Sequence, residues 1–149
     1  MKVASDVLTW ATAVSTNREN GRKIIFRYAE HLRPTFDRAS QPIRVIIVWK
    51  YQSENGHPIA EEHQRMIQLE NSLESVLETD RFATLAMVST GEDLREWTYY
   101  ARSENEFMAR LNYALAQTTA FPIEIHSASD PSWDVYEQFR AGVLEKPCQ

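Results

Sequence analysis

Apolar and polar positions change period several times along this 149-residue chain, and each change predicts an element. From Val7 to Ser15, apolar residues and threonines mix with strand character. Asn17-Arg18-Glu19-Asn20-Gly21 is a turn sequence, and Lys23 to Glu30 resumes with Ile24, Ile25, Phe26 and Tyr28. That pattern predicts a β-hairpin in which Gly21 supplies a positive φ. His31 to Pro42 is polar and holds two prolines, so it reads as a long connecting loop within the domain. Ile43 to Tyr51 is rich in β-branched residues and runs into Ser53-Glu54-Asn55-Gly56-His57-Pro58, which predicts a buried strand closed by a turn.

Beyond Pro58 the period lengthens. Met66, Leu69, Leu73, Val76 and Leu77 form an apolar stripe beside Glu70, Glu74 and Glu78, the signature of an amphipathic helix ending near Asp80. Arg81 to Thr90 alternates as a strand, Gly91-Glu92-Asp93 turns, and Leu94 to Ala101 returns. Ser103 and Glu106 form a capping box before a second helix, with Phe107, Leu111, Ala114, Leu115 and Thr118 on one face. Phe121-Pro122 ends it, and Ile123 to His126 predicts a short strand. Asp130 and Pro131 read as N-cap and first residue of a last helix, with Trp133 and Tyr136 on one side and Gly142 capping its end.

The fold class expected is therefore α+β: a ferredoxin-like β-α-β-β-α-β antiparallel sheet with an N-terminal β-hairpin and a short C-terminal helix. The whole chain, 1–149, reads as one domain, with 1–42 a hairpin and loop extension, 43–129 the ferredoxin-like core and 130–149 the helix and tail.

Composition narrows the function classes. The four glycines, Gly21, Gly56, Gly91 and Gly142, lie at least thirty-five residues apart, which excludes a Rossmann fingerprint, a P-loop and a nucleophile elbow. Cys148 is the lone cysteine, so no disulfide framework or Cys/His zinc site is expected and a reducing compartment fits. The N-terminal residues lack an uninterrupted apolar stretch, and the longest apolar run, Val45 to Trp49, is too short to span a bilayer. The expectation is a soluble, cytoplasmic protein. Net charge is −5, but residues 1–53 hold nine Lys/Arg against four acids, leaving −10 for the rest. Such asymmetry serves either an anionic partner or attraction between two halves of one domain, and the second reading is preferred.

Candidate chemistry is sparse. His57, Glu61, Glu62 and His63 cluster, but at spacings that point the imidazoles in unrelated directions. Glu61/Glu62 and Glu92/Asp93 are sequence neighbours, which do not make a facing dyad. No catalytic residue, metal site or cofactor is therefore assigned. In Leu94-Arg95-Glu96-Trp97-Thr98-Tyr99-Tyr100-Ala101, alternation sends Trp97 and Tyr99 to one sheet face and Glu96, Thr98 and Tyr100 to the other. An open face carrying aromatics could stack bases, yet this half of the chain is acidic and lacks the glycine pattern of such domains. Coverage by the Trp133/Tyr136 helix or by the N-terminal hairpin is the preferred reading. Glu96, if partly buried, needs a partner or shifts its pKa upward. The candidate binding residues are Glu96, Trp97, Tyr100, Trp133 and Tyr136.

Four segments carry a family resemblance: Asn55-Gly56-His57-Pro58, Leu69-Glu70-Asn71-Ser72-Leu73, Arg95-Glu96-Trp97-Thr98-Tyr99-Tyr100 and Asp130-Pro131-Ser132-Trp133-Asp134-Val135-Tyr136. In their order and spacing the chain resembles the bacterial family called domain of unknown function 695. Its Asp-x-x-Trp-x-x-Tyr ending is distantly similar to that of the regulator of ribonuclease activity B, a small acidic ferredoxin-like protein that inhibits a ribonuclease by binding it. The resemblance implies a binding module and carries no catalytic residues. The expectation is a non-enzymatic regulatory module acting through contact with a protein partner, homo-oligomerisation left open. The alternatives are a ligand-binding or enzymatic pocket around Glu96, and nucleic-acid binding through the basic N-terminal hairpin, with affinity that falls steeply with salt, nucleic acid being the less expected partner.

Overall fold

The structure, a computed structural model, describes residues 6–118 and 120–145. Residues 1–5 and Cys148, to which expectations about the N-terminus and the lone thiol attach, lie outside them. Six strands, β1 (Val7–Thr16), β2 (Lys23–Leu32), β3 (Ile43–Lys50), β4 (Ala83–Gly91), β5 (Leu94–Ala101) and β6 (Ile123–Ser129), form one sheet in the order β1-β2-β4-β5-β3-β6. Every neighbouring pair is antiparallel. Three helices complete this α+β architecture: α1 (Ala60–Leu77), α2 (Glu104–Leu115) and α3 (Asp134–Glu145).

The two sheet faces are built differently. Val45, Ile47 and Trp49 of β3 and Trp97, Tyr99 and Ala101 of β5 share one face and meet the α1 stripe Met66, Leu69, Leu73 and Leu77 together with Phe107 and Leu111 of α2. Each Val, Ile, Leu, Met or Phe side chain among them, taken fully out of water, contributes about 1.5–3 kcal/mol. A bulge between Leu85 and Met87 in β4 keeps both Leu85 and Val88 in this core, Val88 opposite Trp97. On the other face a smaller cluster unites Ala29, Ala86 and Tyr100 with Trp133 and Tyr136, Leu32 and Phe36 packing against it. Thus α3 covers part of the second face. The hairpin instead lengthens the sheet, β2 joining β4 from Ile25↔Thr90 to Tyr28↔Met87.

Several boundaries differ from expectation for physical reasons. The last helix begins at Asp134, not Pro131, because Trp133 adopts a left-handed φ of 59°. That conformation closes a turn in which the Trp133 N–H donates to the Asp130 carbonyl at 3.0 Å. Gly142 lies inside α3 and does not cap it. A lone helical glycine costs only about 1 kcal/mol relative to alanine, too little to end a packed helix. β4 starts at Ala83 rather than Arg81, since Asp80 and Arg81 take φ of 50° and 54° after α1. β6 continues to Ser129 because β3 offers partners as far as Ile43. β2 reaches Leu32 by pairing with Val7, which shortens the loop. That loop contains a 3-10 turn at Arg38–Ser40, where the Ala39 N–H donates to Asp37 Oδ1 at 3.0 Å.

Candidate functional site

Alternation along β5 divides the candidate residues between faces. Trp97, 1% exposed, points to the helices, where its indole N–H donates to Glu70 Oε1 at 2.9 Å. Tyr100, Trp133 and Tyr136 come together on the other face. The Tyr100 and Trp133 rings stack at 4.2 Å, Tyr136 meets Trp133 edge-on at 5.7 Å, and the Trp133 indole donates to the Gln41 carbonyl at 3.0 Å. The Tyr136 hydroxyl donates to the Ala29 carbonyl. All four rings are buried, so their packing builds the fold and offers no contact patch. Glu96 stands half-buried on the α3 face, in register between Val48 and Ser89. It lines neither of the two hollows described below.

A polar network that alternation could not reveal lies under α1. Glu70 Oε1 accepts from Arg27 at 2.7 Å as well as from Trp97, and Arg95 approaches the same oxygen at 3.6 Å. Arg95 also donates to Thr90 Oγ1 at 3.0 Å. Burial lowers the Arg95 pKa and the Glu70 carboxylate opposes that shift. The sequence signal was present only as Glu70 bordering the apolar stripe. That the network holds two arginines depends on β2 and β5 both lying beneath the helix. Charge pairing across the chain is general: Arg22 lies 3.8 Å from Glu92, Arg44 3.3 Å from Asp130 and Lys50 3.4 Å from Glu124, while Arg38 pairs with Glu137. The basic N-terminal third thus meets acids of the remainder within one molecule.

Two of the hollows on the surface are lined by described residues that carry charge. One, of about 460 Å³, lies between α1 and α2 and includes Asp80, Glu106, Arg110 and Tyr113. Its charge is closed: Arg110 bonds both Asp80 oxygens, at 2.9 and 3.1 Å, and Glu106 at 3.0 Å. The Arg110 bonds hold the Asp80 carboxyl below its usual pKa. The other, of about 300 Å³, lies between the end of β2, the following loop and α3, and its walls include Arg33, Arg38 and Arg140. Among the described residues no three His, Cys, Asp or Glu side chains gather as a metal requires, and no helix is long and apolar enough to cross a membrane.

The third surface feature is an edge. Among the described residues β1 pairs with β2 alone, and it carries no Lys, Arg, Asp, Glu or Pro over Val7–Thr16. Leu8, Trp10 and Val14 of β1 and Ile25 of β2 are four of the six exposed large apolar side chains among the described residues. Val14 lies directly opposite Ile25, and the Arg27 guanidinium sits over the Trp10 ring at 5.3 Å, so Trp10, Val14 and Ile25 form one stripe on the α1 side. Native edge strands are ordinarily guarded by charge, proline, brevity or bulges. Register shifts protect only the N-terminal end of β1, before Trp10. The opposite edge, β6, carries Glu124 and His126, and Lys50 pairs with Glu124.

No curated protein matches the chain, and the likeness to the regulator of ribonuclease activity B finds no support there. A family model does match, over residues 9–140. That span takes in the whole sheet from Thr9 onward, both long helices and the Asp130–Tyr136 turn, and the chain belongs to the DUF695 family, a family of unknown function.

Proposed function

We propose that this protein is a binding module whose contact surface is the outer edge of β1, and that the occupant fitting this edge is the β1 strand of a second copy. The single observation carrying the reading is a long edge strand with no charged residue and no proline. Unpaired N–H and C=O groups along such an edge are a template for another strand. A foreign strand needs only an extended backbone. A second β1 supplies more, because it is uncharged along its length although the whole chain carries −5.

Side-chain parity selects the register. In an antiparallel pair, directly opposed residues share a face. A two-fold axis through Thr12 sets Trp10 opposite Val14 of the other copy, Thr12 opposite Thr12 and Ala11 opposite Ala13. Aromatic with β-branched and Thr with Thr are favourable cross-strand pairs. Closure by a two-fold axis pairs the β1 edge of both copies and leaves no β1 edge open for a third.

The test is the mass of the full chain in solution, by sedimentation or light scattering. A dimer is expected for the wild type, and a monomer of unchanged circular dichroism for Thr12→Glu. The new carboxylate faces its own copy across the axis, while within the chain it lies opposite Arg27. Thr12→Cys in a Cys148→Ser background should cross-link as a dimer on oxidation, since directly opposed strand residues meet disulfide geometry. A monomeric wild type, or a Thr12→Glu variant that stays dimeric, would overturn the proposal.

A further inference from the structure

The hollow beside α3 differs in charge from the one between α1 and α2. Three guanidinium groups, of Arg33, Arg38 and Arg140, share its lining with His31, Glu30 and Phe36. Two of these cations are matched by acids. Arg33 Nε lies 3.5 Å from Asp6, and Arg38 pairs with Glu137 while lying over the Trp133 and Tyr136 rings. Glu30 turns toward β1, its Oε1 3.4 Å from Thr9 Oγ1 and 3.5 Å from His31 Nδ1.

Arg140 differs. Its bonds run to neutral oxygens: the Tyr136 hydroxyl at 3.0 Å and the carbonyls of Ala29 and Glu30. All leave from Nη1, so Nε and Nη2 keep their donors. Among the described residues no carboxylate lies within ion-pair distance of this side chain. The group is nonetheless fixed. The Tyr136 hydroxyl that accepts from it is itself held by the Ala29 carbonyl, and the guanidinium lies over the Tyr28 and Tyr136 rings at 5.8 Å each. A positioned cation without a counter-charge, in the wall of a concave site, is what oxyanion recognition requires, because its ordering cost is already met within the fold.

We infer that this hollow binds a small oxyanion, a phosphate or carboxylate group, with Arg140 as the principal donor and Arg38 at its side. The ligand class follows from the walls. A volume of about 300 Å³ is at the small end for ligand sites, and a lining rich in guanidinium groups disfavours an apolar occupant. This site is separate from the β1 edge and does not depend on self-pairing.

Calorimetric titration of the full chain with inorganic phosphate, and separately with succinate, tests the inference at low and matched ionic strength. Saturable one-to-one binding of at least one of the two anions is expected. Which anion binds more tightly identifies the group recognised. Arg140→Gln should weaken binding about tenfold or more, the loss of a charge-assisted contact. Lys23→Gln, which removes one positive charge at the far end of β2, should leave it unchanged. Because Arg140 also ties α3 to β2, Arg38→Gln serves as a second variant and should weaken binding while its thermal unfolding confirms the fold. Failure of both anions to saturate the wild type overturns the site. So does unchanged affinity in Arg140→Gln or, should that variant unfold, in Arg38→Gln.

Discussion

Asp130 is the polar centre of the smaller core. Its carboxylate accepts from the Tyr100 hydroxyl at 2.7 Å, from Arg44 at 3.3 Å, and from the N–H groups of Asp134 and Val135 at 2.8 and 3.3 Å. Burial alone would raise its pKa. The bonds from Tyr100, the two N–H groups and Arg44 outweigh burial and hold it below the ordinary carboxylate value, while burial and the same contact push the Tyr100 hydroxyl up. Asp130→Ala leaves a buried hydroxyl unpartnered and α3 uncapped, so the unfolding free energy in urea should fall by about 3 kcal/mol. A carboxyl whose pKa is lower folded than unfolded stabilises above its unfolded pKa of about 3.9 and loses that contribution as pH falls through the folded value. Asp130→Asn should therefore flatten the acid limb of stability against pH. Parallel curves for wild type and variant would refute this. Asp130 as a capping residue was legible in the sequence; its bonds to Tyr100 and Arg44 were not, because they join β5 and β3 to a turn far along the chain.

Among the elements, the β4–β5 hairpin shows what a local pattern carries. Its alternation and turn residues were readable, and Glu92 and Asp93 take left-handed φ of 55° and 63° in the two-residue turn. That conformation matches the twist of the flanking strands. Gly91 ends β4 ahead of that turn and is needed for another reason. A Cβ there would stand 2.6 Å from the Lys23 carbonyl oxygen and 2.8 Å from Ile24 Cα. Gly91→Ala must push β2 from β4 and should destabilise the fold by about 2 kcal/mol, read as a lowered thermal midpoint. Gly21→Ala has open space but a φ of +72°, so its cost is confined to backbone strain. No pattern within 81–101 could announce the close approach of β2, since the approaching residues lie some seventy positions earlier. The shift of α3 has the same origin. The Trp133 ring reaches its stack on Tyr100 from a left-handed residue, and this tertiary contact overrides the Asp-Pro helix-start signal.

At the scale of the whole molecule, exposure of one tryptophan reports on assembly. Trp49, Trp97 and Trp133 are at most 1% exposed and Trp10 is 38% exposed. Acrylamide quenching should detect Trp10 in the Thr12→Glu variant, lose that component in Trp10→Phe, and find it protected in a wild-type dimer. The charge asymmetry resolves at this scale too, with Arg22, Arg27, Arg38, Arg44 and Lys50 each reaching an acid beyond residue 53. By itself, the sequence determined the kind and order of the elements and the faces of β5, because periodicity records which side of each segment leaves water. It also excluded glycine-rich phosphate loops. Only the tertiary structure decided that the hairpin extends the sheet, that α3 covers part of the second face, that Arg27 and Arg95 converge on Glu70, and that Arg140 stands in a hollow with no carboxylate of the described residues at ion-pair distance. Those outcomes depend on which distant segments become neighbours, and that is settled by the joint packing of all the elements.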